Sequence, residues 1–146
     1  CCTVRGDLIR VLSGLMKRKG GFDAIIVETT GLADPGPVAQ TFFMDEDVQA
    51  RTRLDSVTTL VDAKHVMQRL DDSKEAREQV AFADQILLNK TDLVSEAELA
   101  VVEARLRGLN PLAPIRRTER AKIALDQILD PTRIRQSGPW RGRPRP

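Results

Sequence analysis

The stretch Ile86-Leu87-Leu88-Asn89-Lys90-Thr91-Asp92 joins three apolar residues to four polar ones. A short apolar run bounded by a turn reads as a strand, and the polar tetrapeptide as the loop at its carboxyl end. Downstream, Ser95 followed by Glu98 is a capping box that opens a helix running to about Gly108. Ala113 to Arg116 reads as a short strand, and about Arg120 to Leu129 as a last helix. Upstream, residues 63–83 read as helical, in two pieces broken near Asp71-Asp72-Ser73, and Asp55 to Val61 as a β-branched strand. Before that, Pro35 and Pro37 suit the first turn of a helix that would bury Val38, Phe42 and Phe43. Phe22 to Val27 is a continuous apolar run, the pattern of a strand covered on both faces, and it ends in Glu28-Thr29-Thr30-Gly31. Val4, Leu8, Ile9, Leu12, Leu15 and Met16 put an apolar face on a helix over 4–19, closed by Gly20 and Gly21.

The resulting order, αβαβαβαβα with short loops, predicts an α/β fold with a mainly parallel sheet. Ligands of such sheets sit at the carboxyl ends of the strands. The segments Glu28–Pro35 and Asn89–Asp92 both fall there, which predicts that they face one site.

Composition agrees with a packed domain. The 146 residues are 41% hydrophobic, and with the 9 Gly roughly 47% apolar, inside the globular range. No run approaches the ~20 apolar residues of a membrane helix, and nothing at the start reads as a signal peptide. The two cysteines, Cys1 and Cys2, are adjacent, a geometry that rarely closes a disulfide. The expectation is a reducing, cytoplasmic setting with no membrane partner. The start at Cys rather than Met predicts a fragment or a processed end. Residues 131–146 hold five arginines and no acid; removing those five from the 23 basic residues leaves 18 against 21 acidic ones. The body is therefore slightly acidic and, with four Phe, one Trp and no Tyr, lacks a base-stacking platform, which argues against nucleic acid as partner. The chain divides into a domain over 1–130 and an Arg/Pro-rich, low-complexity tail over 131–146 that cannot build a core.

Asn-Lys-x-Asp after a buried strand has the chemistry to read guanine. The Asp92 carboxylate can accept from the guanine N1–H and exocyclic amine, which adenine does not present, so the wrong base leaves groups unpaired. Asn89 can contact the base edge and brace the loop, and the Lys90 stem can lie along the base with its ammonium in water. The bland alternative is a polar turn after a strand. In Glu28-Thr29-Thr30-Gly31-Leu32-Ala33-Asp34-Pro35, an acid at a strand end can hold Mg²⁺ through water or position an attacking water. Gly31 can offer its amide to a γ-phosphate because no side chain blocks the approach. Its bland alternative is an acid at a helix N-terminus.

Together, Glu28–Pro35 and, some sixty residues on, Asn89–Asp92 resemble the CobW-type P-loop GTPases, whose switch motif begins with Glu. The resemblance extends to Cys1-Cys2-Thr3-Val4-Arg5-Gly6-Asp7-Leu8, Val61-Asp62-Ala63, Gln79-Val80-Ala81-Phe82-Ala83-Asp84 and Leu109-Asn110-Pro111, roughly residues 1–130. That family handles metals: cobalamin synthesis proteins, zinc chaperones and nitrile hydratase activators. The resemblance implies a three-layer P-loop NTPase fold, GTP/GDP and Mg²⁺ as ligands, and Zn²⁺ or Co²⁺ as cargo, with a client metalloprotein. It implies that Glu28 serves Mg²⁺, its water and the switch, that Gly31 senses the γ-phosphate, and that Asn89, Lys90 and Asp92 take the guanine. Thr118 falls where a loop closes over the base, and Cys1 and Cys2 are the last thiols of the metal motif. His65, the single histidine, reads as a surface or helix-packing residue. The sequence contains no Gly-x-x-x-x-Gly-Lys-[Ser/Thr]. The family's phosphate loop and first strand are thus expected to be missing here, which leaves a non-catalytic metal- or partner-binding module as the alternative.

Overall fold

The computed structural model describes residues 2–17, 22 and 24–129. These fall into two compact units, one with residues up to 28 and 36–54, the other with 29–35 and 55–128.

The first unit is helical. Helix α1 (Cys2–Met16) buries Leu12 and half-buries Leu8, Ile9, Leu15 and Met16, the face the spacing predicts. Gly20 and Gly21 lie outside the described residues. Helix α2 (Pro35–Met44) starts at the predicted proline but buries Ala39 and Thr41, while Phe43 is exposed. Val38 and Phe42 are half-buried on the same helix. Helix α3 (Glu46–Arg51) was not foreseen. Asp45 caps it, its carboxylate accepting the Val48 amide at 2.9 Å, and Val48 is buried.

The expected strand over 22–27 is not formed among the described residues of that run, 22 and 24–27. Residues 24–30 carry no regular structure, and Ile25, Ile26 and Val27 are exposed. A strand exists by pairing, and no described neighbour pairs with this run, so its apolar character is not enough.

The second unit is a parallel sheet with helices against it. Strands β1 (Thr58–Asp62), β2 (Gln85–Asn89) and β3 (Ile115–Arg117) lie in the order β1-β2-β3. Thr58 pairs with Gln85 and Asp62 with Asn89; Ile86 pairs with Ile115. Between β1 and β2 come α4 (Val66–Asp72) and α5 (Lys74–Ala81), broken at Ser73, whose hydroxyl caps α5. Between β2 and β3 runs α6 (Glu96–Leu109), with the predicted capping box at Ser95 and Glu98. Val61, Leu70, Val80, Ile86, Leu88, Leu99, Val102 and Leu106 form the core. Helices α4, α5 and α6 bring Leu70, Val80, Val102 and Leu106 into one core with Ile86 and Leu88, and Gln85–Leu88 are all buried, in keeping with parallel strands that are covered rather than alternating.

The last predicted helix, 120–129, is also corrected. Arg120 and Ala121 have φ of 51° and 53°, which no right-handed helix admits, and the segment holds only a 3₁₀ turn at Leu125–Gln127. The alternation αβαβαβαβα therefore reduces, among the described residues, to three helices followed by the β1–β3 series. Residues 131–146, read as a tail, lie outside the described residues.

Candidate nucleotide site

The loop after β2 is built by the strands beside it. Lys90 takes a left-handed conformation, φ 60° and ψ 35°, which turns the chain sharply away from the sheet. Thr91 to Leu93 then form a 3₁₀ turn, with the Leu93 amide donating to Lys90 O at 3.0 Å. The β3 end braces this corner. The Thr118 amide donates to Leu88 O at 2.8 Å, and the Thr91 hydroxyl donates to Thr118 O at 3.2 Å. Asn89 Oδ1 accepts the Thr118 hydroxyl at 3.1 Å and the Ala121 amide at 2.9 Å. Thr118 is buried, so its hydroxyl ties the two loops together. The Asp92 carboxylate is exposed and makes no hydrogen bond to another described residue.

On the other side stands Asp62, at the carboxyl end of β1. Its Oδ2 accepts from Lys90 Nζ at 2.7 Å and lies 3.0 Å from His65 Nδ1. Its Oδ1 accepts the Lys64 amide at 2.9 Å. Partial burial pushes this carboxyl up. The hydrogen bonds from Lys90, His65 and the Lys64 amide, with the Lys90 charge, outweigh burial and bring it down to about 2. His65 is thus an exposed partner of Asp62.

Gly31 sits in a tight turn, where the Ala33 amide donates to Thr30 O at 3.1 Å. The Gln79 side chain pins that turn from α5, donating to Ala33 O at 2.8 Å and Thr30 O at 3.4 Å. A Cβ at Gly31 would meet open space, so the amide is approachable. Gln79 O in turn accepts the Thr59 hydroxyl at 2.8 Å. That anchor is three residues, about 10 Å at strand rise, before Asp62 in β1. The turn at Gly31 is thus held on the Gln79 and Thr59 side of its unit. Glu28 is exposed and belongs to the other unit. Within the second unit the structure brings together Asn89, Lys90, Asp92 and Thr118.

Cys1 lies outside the described residues, and Cys2 is described through its backbone in α1 alone. Among the described residues no group of three or more His, Cys, Asp or Glu side chains is placed to hold a metal. No described helix is long and apolar enough to cross a membrane.

Two residues were not read as functional from sequence: Asp62, which stands beside the loop, and Asn110, at the opposite end of β2. Asn110 is buried at the end of α6, where its Nδ2 donates to Val80, Ala81 and Ala83 oxygens and its Oδ1 accepts the Leu112 and Ala113 amides. Asp62 had a local signal: an Asp whose carboxylate can take the amide two residues on, a turn former after a strand.

A loop of this build lies at the carboxyl edge of a parallel sheet, where α/β proteins bind their ligands. Comparison with known proteins makes this specific. The family model described as CobW/HypB/UreG, nucleotide-binding domain, matches residues 1–117, and the chain belongs to this family. The chain is 41% identical over 132 residues to zinc-regulated GTPase metalloprotein activator 1 of Schizosaccharomyces pombe, covering 89% of this chain and 32% of that protein. It is 41% identical over 119 residues to the zinc chaperone YjiA of Escherichia coli, covering 79% of this chain and 37% of that one. The crystal structure of the Zn(II)-bound YjiA GTPase superposes with a TM-score of 0.73 at 38% identity, over 84% of this chain and 38% of that one. The fold is accordingly that of a P-loop NTPase. The chain spans about a third of the length of these relatives.

Proposed function

We propose that this chain supplies the guanine-recognising part of a GTP-dependent metal-handling protein. The observation that carries the reading is the loop Asn89–Asp92, clamped between β2 and β3 by Thr118, with the Asp92 carboxylate exposed and, among the described residues, without a hydrogen-bond partner. An exposed carboxylate on a braced loop is preorganised to accept the two donors of a guanine edge. Asn89 braces, Lys90 lies along the base, and Thr118 holds the loop that closes beside it. Glu28 and Gly31 are assigned to Mg²⁺ with its water and to the γ-phosphate; the support is their motif and the open approach to Gly31. Mg²⁺ would neutralise phosphate charge, and an exposed carboxylate such as Glu28 is a hard oxygen donor that suits it. Cys1 and Cys2 are soft donors that suit zinc, or cobalt, as cargo passed to a client metalloprotein. Support for this part comes from the relatives named as zinc chaperones and zinc-regulated activators. The action is proposed to be cytoplasmic.

Titration with GDP, ADP and xanthosine diphosphate tests the guanine reading. The wild-type chain is expected to prefer GDP over ADP, and Asp92→Asn to shift preference toward the xanthine base, whose C2 carbonyl needs a donor. Equal binding of GDP and ADP, or an unchanged preference in Asp92→Asn, would remove it.

A further inference from the structure

We propose that Asp62 is a positioning residue of the guanine loop, acting through Lys90: it holds the Lys90 ammonium from across the β1–β2 pair and so lays the Lys90 stem ready for the face of a purine base. The inference rests on the guanine reading above and adds a residue outside the Asn-Lys-x-Asp motif to it.

The register places Asp62 opposite Asn89, one residue before Lys90. Lys90 is a non-glycine residue in the left-handed region, a conformation that side-chain-bearing residues rarely adopt, so tertiary contacts must hold the corner. On the side-chain side the described contact is the 2.7 Å bond from Nζ to Asp62 Oδ2. Asp62 is a fixed anchor. Its own turn holds Oδ1 through the Lys64 amide, and His65 Nδ1 lies against Oδ2. The carboxylate remains ionised far below neutral pH because these donors surround it. A lysine stem loses rotamer freedom when it is immobilised on a ligand. Pinning both its ends beforehand, at the αL backbone and at the ammonium, removes part of that loss from binding. The groups facing the carboxylate are Lys90 from the end of β2, and His65 and the Lys64 amide from the turn after β1. The pair is about half exposed at Lys90, so the effect is modest.

The test is a double-mutant cycle by calorimetric titration of GDP and of inosine diphosphate into the full chain, its Asp62→Asn, Asp62→Glu and Lys90→Met variants, and the Asp62→Asn/Lys90→Met pair. Asp62→Asn is expected to weaken both nucleotides by the same factor, about three- to fivefold for a partly exposed pair. It leaves the GDP to inosine diphosphate ratio unchanged, since that ratio reads the base edge at Asp92. Added to Lys90→Met, it causes no further loss, and Asp62→Glu recovers part of the affinity. Full additivity of the two single losses, or unaltered binding in Asp62→Asn, would overturn the role of Asp62 while leaving the guanine site standing. Failure of the wild-type chain to bind GDP would instead remove the guanine site, and this role with it.

Discussion

The Asn110 side-chain amide donates to the main-chain oxygen of Ala83 at 2.8 Å, joining the end of α6 to the entry of β2. The same nitrogen serves Val80 O at 2.9 Å, and the side-chain oxygen receives the Ala113 amide at 3.0 Å. One buried side chain thus closes the end of α5 and starts the run into β3. Asn110→Ala strips partners from several buried groups at once, and is expected to cost about 3 kcal/mol. Urea unfolding monitored by circular dichroism checks it; a loss under about 1 kcal/mol would mean that water replaces the side chain.

Asp62 makes stability depend on acid. Its folded value is about 2 against an ordinary 3.8. A depressed carboxylate contributes stability that is fully present above its unfolded value and is lost as pH falls through the folded one. The wild-type chain is expected to lose stability between about pH 4 and pH 2, by an amount on the order of 1 kcal/mol after solvent screening. Asp62→Asn is expected to be less stable at neutral pH and flatter over that window. Denaturant midpoints at pH 7, 4 and 2.5 compare the two; parallel curves would contradict the contribution.

Ser95 and Glu98 cap α6 from both directions, the Ser95 amide donating to Glu98 Oε2 at 2.7 Å and the Glu98 amide to Ser95 Oγ at 3.3 Å. Ser95→Ala is expected to cost about 1 kcal/mol. Because the cap holds only the first turn of α6, amide exchange at residues 96–98 should accelerate before that at Leu106. Uniform acceleration along α6 would show that the cap acts globally.

Leu106 is fully buried among Leu70, Ile86 and Leu88. Leu106→Ala is expected to cost about 3 kcal/mol through lost burial and a residual cavity, seen as a lower unfolding midpoint. Leu112→Ala, at a 92% exposed position, is expected to change stability by less than about 0.5 kcal/mol. Equal losses at the two positions would contradict the core assignment.

The second unit was legible in the sequence because its signals are local and agree with one another. Ile86-Leu87-Leu88 is apolar throughout because helices and neighbouring strands cover it, and Ser95 with Glu98 announces its helix within four residues. Phe22 to Val27 carried the same apolar signal and failed, since a strand also needs a partner whose presence no local pattern encodes. The stretch 120–129 failed because Arg120 and Ala121 turn left-handed to send the Ala121 amide to Asn89, a choice made by a residue 32 positions away. Asn89, Lys90 and Asp92 were legible as a motif. The anchoring of Lys90 by Asp62 was not, because it depends on which residues the parallel register sets side by side.

The bracing of Asn89 has a consequence for what this side chain has left to offer. Its oxygen is spent inward, on the Thr118 hydroxyl and the Ala121 amide, so the part still open to a ligand is the –NH₂. Under the proposed guanine reading, a donor there would meet the ring nitrogen that guanine and adenine share, so the choice between the two bases would rest chiefly on the Asp92 carboxylate.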